Sequence, residues 1–346
     1  MQIADILKLA LEKDASDVII MAQPSLKIYG DIHFLSDIPV VGKEESKKLV
    51  LSVMTAAQRE VFQRELELDF SIELKGFCRF RVNAFTQKDG YSMVFRPIKT
   101  NIPEFDSLHL PDILKYFSGQ KNGLVLITGS VGSGKTTTLA GMLDHINQTQ
   151  SKHIITVEDP IEFVYQNKYS IIEQREVGSH THTFENALKY ALRQAPDIIM
   201  IGEMRDLDTF RLALRAAETG NLVFATLHTS GAARTVARVI DMFPGDEKDI
   251  IRQQLSESLL GVVWQQLIRT TDGDGRIPAV EVLVNTTPIS NMIRKNQTHQ
   301  IPGAMETGKE NGMITMHDSL EGLFDEKLID EETYQYHLSL LDKYST

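Results

Sequence analysis

One cysteine, Cys78, is all the thiol chemistry in 346 residues, which excludes an intrachain disulfide and a multi-cysteine zinc site and fits a reducing compartment. Cys78 itself reads as a packed strand residue. Cationic side chains are also scarce: 36 Lys and Arg against 47 Asp and Glu leave a net charge of -11 and a pI of about 5.4. This balance argues against a general nucleic-acid binder, because phosphate affinity needs clustered Lys and Arg; only a local basic channel stays open. No run approaches the roughly 18 apolar residues of a membrane span. The first turns carry Asp5, Glu12 and Lys13, unlike a signal peptide, so a cytoplasmic location is expected. Internal repeats and low-complexity tracts are absent. Trp264, the single tryptophan, fits either a core or an interface.

The length and an apolar fraction of 42% allow two ordinary domains, each with its own core. Ile3, Ile6, Leu7, Ala10 and Leu11 have the spacing of one helical face. Short strands are predicted at Val18–Met21 and Leu26–Tyr29 with Gly30-Asp31 as turn residues, then helices near Lys43–Met54 and Ala56–Leu66. Strands follow at Asp69–Leu74, Arg79–Thr86 and Tyr91–Pro97, the last two joined through Lys88-Asp89-Gly90 as a hairpin. Residues 1–98 are thus a small α+β domain, and 99–111, with Pro103 and Pro111, a linker. Over 112–346, apolar runs at Leu124–Thr128, Ile154–Val157, Ile198–Ile201 and Leu222–Thr226 alternate with helical stretches, as in a parallel sheet covered on both faces. The C-terminal third turns helical at Glu247–Leu260 and Ser319–Phe324, with a strand at Pro278–Val284. The acidic run Asp325–Glu332 reads as a solvated helix surface.

Gly129-Ser130-Val131-Gly132-Ser133-Gly134-Lys135-Thr136 matches the Walker A pattern in full, between a strand ending at Thr128 and a helical run to Ile146. Glycines there let the backbone wrap phosphate oxygens, and the helix N-terminus adds positive potential. With Thr137, these residues form the expected ATP-binding set; Lys135 neutralises the β- and γ-phosphates and Thr136 offers its hydroxyl to Mg²⁺. Hydrolysis also needs acids on neighbouring strand ends. Asp197–Glu203 is an apolar strand ending in an acid, a Walker B position in which Gly202 replaces the usual Asp, so Glu203 takes the metal region. Glu158-Asp159-Pro160-Ile161-Glu162 follows another strand and emerges on the same sheet edge. Glu162 is the candidate for polarising the attacking water, although three acids in five residues also describe a plain acidic loop. His228, among Thr226, Thr229 and Ser230, serves either structure or phosphate sensing, and the hydroxyls favour sensing. Arg81 and Arg96 alternate onto the polar face of their hairpin, where composition alone reads them as surface arginines.

Walker A, the segment Thr156–Phe163, Gly202-Glu203-Met204-Arg205-Asp206 and Ala217–Thr229, in this order, resemble the secretion ATPase superfamily, with its aspartate box, atypical Walker B and histidine box. Ala15-Ser16-Asp17, Arg79–Asn83 and Gly312–Met316 extend the resemblance, over nearly the whole chain, to its type IV pilus retraction branch. The resemblance implies a PAS-like first domain and a RecA-like ATPase domain with C-terminal helices. It also implies a homohexamer that drives pilus retraction at the cytoplasmic face of the inner membrane, reaching the membrane through a PilC-like platform protein, with no nucleic-acid partner. From it, Arg81, Arg96 and Arg238 acquire a role on the terminal phosphate. Two departures stand out: Asn221 where members usually have His, and Pro288-Ile289-Ser290-Asn291-Met292-Ile293-Arg294 in place of the retraction-associated Ala-Ile-Arg-Asn-Leu-Ile-Arg. Thr287 before Pro288 is a good N-cap, so that segment reads equally as a plain helix. Assembly and secretion ATPases often add a tetracysteine zinc module and a long N-terminal extension, which favours the retraction branch here. A retraction-type motor of a related secretion or pilus-assembly machine, a nucleotide-dependent assembly protein without turnover, and a nucleic-acid translocase remain the rivals.

Overall fold

A computed structural model describes residues 3–13, 15–21, 23–28, 31–36, 38, 41–74, 76–98, 101–271, 273 and 275–345. The chain divides into two units: Met1–Asn101 with Pro160–Val164, and Ile102–Asp159 with Tyr165–Thr346. The first therefore runs slightly past the expected boundary and takes in the segment that carries Glu162. Of the expected Leu26–Tyr29 strand and its turn, Tyr29 and Gly30 lie outside the described residues.

In the first unit, α1 (Ile3–Glu12) is followed by β1 (Asp17–Ile20), β2 (Ser25–Ile28), β3 (Asp31–Phe34), α2 (Lys43–Ser52), α3 (Ala56–Glu65), β4 (Glu67–Leu74), β5 (Cys78–Gln87) and β6 (Gly90–Ile98). The strands form one antiparallel sheet in the order β3-β2-β1-β6-β5-β4. Strand β3 was not expected; all four of its residues are exposed, so this edge lacks the half-buried alternation that marks a strand in sequence. Ile6, Leu7 and Ala10 of α1 pack with Phe80, Val82, Met93 and Phe95 in a single core. The β5–β6 hairpin turns at Lys88-Asp89 as the sequence predicts, with Gln87 opposite Gly90. Ser92 is buried against the predicted alternation, at the end of β6 that α2 covers through a Tyr91 N–H bond to Ser46 Oγ (3.3 Å).

The second unit contains α4 (Ile113–Ser118), β7 (Gly123–Thr128), α5 (Lys135–Thr149), β8 (His153–Glu158), β9 (Ile171–Glu176), α6 (Phe184–Ala191), β10 (Ile198–Ile201), α7 (Leu207–Glu218), β11 (Leu222–Leu227), α8 (Ala232–Asp241), α9 (Lys248–Ser258), β12 (Leu259–Arg269), β13 (Arg276–Val284), α10 (Thr287–Arg294), α11 (Ile301–Glu306), α12 (Met316–Asp325) and α13 (Glu331–Ser345). Its sheet runs β13-β12-β7-β11-β10-β8-β9, parallel throughout except for β12–β13. Strands β7, β10 and β11 are buried along their whole length, which is why they read as unbroken apolar runs. Two strands escaped that test. In β9, Glu173, Gln174, Arg175 and Glu176 mask an edge strand, and β12 follows α9 with no turn residue between Ser258 and Leu259. The acidic run Asp325–Glu332 is the corner between α12 and α13 rather than one helix surface. The N-cap position of α10 is Thr286, one residue before the expected Thr287, and its side chain makes no capping hydrogen bond among the described residues.

Candidate active site

The carboxyl ends of β7, β11, β10 and β8 lie side by side, with Thr128 opposite Leu227, and Ile201 opposite both Ala225 and Val157. In an open parallel sheet this edge is where ligands bind. From β7 the chain enters the glycine loop, whose Gly129, Gly132 and Gly134 all have positive φ. A Cβ on Gly129 would lie 2.4 Å from the carbonyl of Gln265 and 2.5 Å from Ser133 Oγ, so no other residue fits without moving β12. Lys135, the first residue of α5, is buried and donates to the carbonyls of Gly129 (2.8 Å) and Ser130 (2.9 Å), which arches the loop around its ammonium. Among the described residues, buried Ser133 Oγ and Thr128 Oγ1 find no hydrogen-bond partner, an arrangement that suits a loop built to meet phosphate oxygens.

His228, just past β11, places Nδ1 3.4 Å from Lys135 Nζ and Nε2 3.2 Å from Glu203 Oε1. A neutral imidazole with its proton on Nε2 satisfies both neighbours, accepting from the ammonium and donating to the carboxylate. Glu203 Oε2 in turn accepts from Arg205 Nη2 (2.7 Å), and Arg205 Nη1 lies 3.8 Å from Asp159 Oδ2. Burial pushes the Glu203 carboxyl up, but the hydrogen bond and charge of Arg205, with His228 and Lys135, outweigh it and hold the group below the usual carboxylate range. Lys135, His228 and Glu203, chosen from three separate motifs, are thus brought together.

Gly202 also gains a physical account. A Cβ there would approach Glu158 Cα and the Val157 carbonyl at 3.3 Å, so the usual acid at this position would press on the neighbouring strand. Glu158 is buried and accepts from Thr156 Oγ1 (2.7 Å) and Gln174 Nε2 (3.0 Å), a structural commitment rather than a catalytic one. Asp206 caps α7 by accepting from the Thr209 N–H (2.8 Å). Asn221 donates to the Pro196 carbonyl (2.6 Å) at the far end of β11, about 20 Å of strand from the P-loop at 3.3 Å per residue. Its amide is thus committed to a backbone carbonyl at the end of the strand away from the P-loop.

Glu162 is exposed and belongs to the first unit. Arg81 and Arg96 are direct cross-strand partners on β5 and β6 of that same unit. Arg96 donates through Nε (2.9 Å) and Nη2 (2.7 Å) to Asp17 Oδ1, and Arg81 Nε lies 3.8 Å from Asp69. Arg238 is exposed on α8, the helix that follows the His228 loop. One residue was missed: Gln265 on β12, almost fully buried, donates to the Ser133 carbonyl (2.7 Å) and accepts from Thr138 Oγ1 (2.7 Å), tying the loop to α5. Its mark in sequence is an amide, beside that of Gln266, interrupting a mainly apolar strand. Trp264 beside it packs with Ile268, Met316 and Leu320 in a core.

A family model described as type II/IV secretion system protein matches residues 1–308. The chain belongs to this family. Within it, the chain is 48% identical over 309 residues to a twitching motility protein of Neisseria gonorrhoeae, covering 89% of this chain and 82% of that one. It is 45% identical over 334 residues to the type IV pilus retractation ATPase PilT of Pseudomonas aeruginosa, covering 96% of each. A crystal structure of the pilus retraction motor PilT with bound ADP superposes with a TM-score of 0.90 at 44% identity, over 96% of both chains. Like other ATPases of the type II/IV secretion family, this chain is a P-loop ATPase with a RecA-like second unit. No helix among its described residues is long and apolar enough to cross a membrane.

Proposed function

We propose that this protein is the retraction motor of a type IV pilus, hydrolysing ATP to ADP and phosphate to withdraw pilin from the pilus base. The observation that carries this reading is the Lys135–His228–Glu203 cluster at the end of three parallel strands, in a chain that matches a retraction ATPase over 96% of both lengths. ATP docks on Gly129–Thr137, with Lys135 exchanging loop carbonyls for β- and γ-phosphate oxygens. Thr136 and Glu203 are the residues that would hold Mg²⁺, which supplies charge neutralisation at the phosphates. His228, between ammonium and carboxylate, reports phosphate occupancy to Glu203. Glu162 polarises the attacking water, and Arg81, Arg96 and Arg238 complement the charge of the transition state. The working assembly is a homohexamer, its first unit PAS-like, docked on a PilC-like platform protein at the cytoplasmic face of the inner membrane.

Two measurements test the reading. Cells lacking the protein should accumulate surface pili; loss of pili instead would assign it to extension. In a phosphate-release assay, Glu162→Gln should slow turnover strongly and leave ATP bound, since the amide keeps the shape and loses basicity. If Glu203→Gln alone stopped turnover, the base would be Glu203 instead.

A further inference from the structure

The quoted segment Gly312–Met316 lies outside the P-loop and its neighbouring acids, yet its residues make a specific joint. Gly312 has φ +81°, Ile314 pairs with Val282 of β13 through two backbone hydrogen bonds (2.8 and 3.0 Å), and Thr315 caps α12 with Asp318 in a reciprocal box. One residue along from Val282 on β13, Glu281 receives the backbone N–H of Met316, the first residue of α12. Its Oε1 also accepts the N–H of Ala232, the first residue of α8, at 2.6 Å. A single carboxylate therefore holds the N-termini of two helices that come from different parts of the chain.

The first of those helices starts four residues after His228. Thr229 Oγ1 lies 2.6 Å from Thr235 Oγ1, which donates to the Gly231 carbonyl (2.8 Å), so the loop is closed onto the first turn of α8. Gly231, at φ +93°, is the one joint between the loop and the helix with left-handed backbone. Glu281 pairs across the sheet with Trp264, which pairs with Thr128, so the carboxylate stands level with the start of the P-loop, two strands away. A cavity of about 590 Å³ opens beside it, bordered by Ser130, Ser230, Arg234, His317 and His337, so the fastening sits next to open space instead of packed core.

We propose that Glu281 is a positioning residue for His228: it anchors the histidine loop, through α8, to the C-terminal helical layer that begins at α12. The inference rests on the reading of the chain as an ATPase with His228 at the phosphate. Burial raises the Glu281 carboxyl and the two N–H donors, Arg234 and His317 oppose it, which fits a group kept for its acceptor geometry. Removing it strands a buried N–H on each helix and frees the loop to wander from Lys135 and Glu203.

The experiment is a double-mutant cycle on ATP turnover with purified full-length protein. Glu281→Ala should lower kcat by about tenfold with KM for ATP changed by less than about threefold, and Glu281→Gln, which keeps one acceptor oxygen, should fall between. In a His228→Ala background the Glu281 substitutions should have little further effect, because both act through the same imidazole. Additive losses in the cycle, or an unchanged kcat in Glu281→Gln and Glu281→Ala, would overturn the proposal. If Glu281→Ala does not fold, the Glu281→Gln cycle decides alone. Turnover that survived Lys135→Ala would instead sink the ATPase reading, a separate failure.

Discussion

Lys135, His228, Glu203 and Arg205 form a chain of neighbouring polar groups: ammonium, imidazole, carboxylate, guanidinium. Arg205 is the outer member and the one that most lowers the Glu203 pKa against the push of burial. The sign follows directly. A carboxyl whose folded pKa is depressed contributes its ion pair above the unfolded pKa and loses it as pH falls through the folded value. Arg205→Gln leaves burial unopposed by the largest attraction, so Glu203 should protonate at a higher pH. The acid limb of kcat/KM for ATP should move upward in pH, with the neutral-pH rate less affected; an unmoved limb would mean that Glu203 ionisation does not control turnover. This residue-level chemistry was legible wherever a motif carried it. Lys135, Glu203 and His228, picked from separate motifs, lie together because strand ends of a parallel sheet converge on one edge, and that convergence follows from strand order alone. Gln265 was not legible, because its partners, the Ser133 carbonyl and Thr138 Oγ1, are 127 or more residues away in the chain.

Among the elements, α10 has one face committed to packing and another exposed. Ile289 and Ile293, one turn apart, are fully buried in the main core of the second unit, while Arg294 is exposed and donates to Asn291 on its own helix. The altered retraction motif therefore keeps its apolar face for structural reasons. Ile293→Ala should destabilise the protein by about 2–5 kcal/mol, read as a lower urea midpoint. Arg294→Ala should change stability by no more than about 0.5 kcal/mol in the same measurement. A large loss of stability in Arg294→Ala would show that the motif is scaffold throughout. Sequence pattern located this helix and missed its cap by one residue, since Thr286 and Thr287 are chemically identical candidates and only backbone conformation chooses between them. The unpredicted β3, β9 and β12 share a different cause: edge position or an uninterrupted junction removes the alternation on which strand reading depends.

At the scale of the whole molecule, the proposed catalytic groups are divided. The P-loop, Glu203, His228 and Arg238 belong to the second unit, and Arg81, Arg96 and Glu162 to the first. Under these proposed roles, turnover draws on residues of both units. The arginines carry the sharpest test, because Arg96 has a competing structural task. Both its contacts go to one oxygen of Asp17, a carboxylate whose side chain is only 10% exposed. Arg96→Ala therefore leaves Asp17 without its ion pair, with the Ser16 Oγ bond (3.0 Å) remaining on Oδ2, at a cost of about 1 kcal/mol for an arginine so exposed. Asp17→Asn removes the pair from the other side and leaves the guanidinium in place. If Arg96 acts on the terminal phosphate, Arg96→Ala and Arg81→Ala should each lower kcat at least tenfold with ATP binding intact, whereas Asp17→Asn should keep turnover within about twofold. Equal losses in Arg96→Ala and Asp17→Asn would reduce the arginine to a strut of the first unit. Mixing Arg96→Ala with Lys135→Ala then locates the contact: partial recovery of phosphate release places it across subunits, and no recovery places it within one chain.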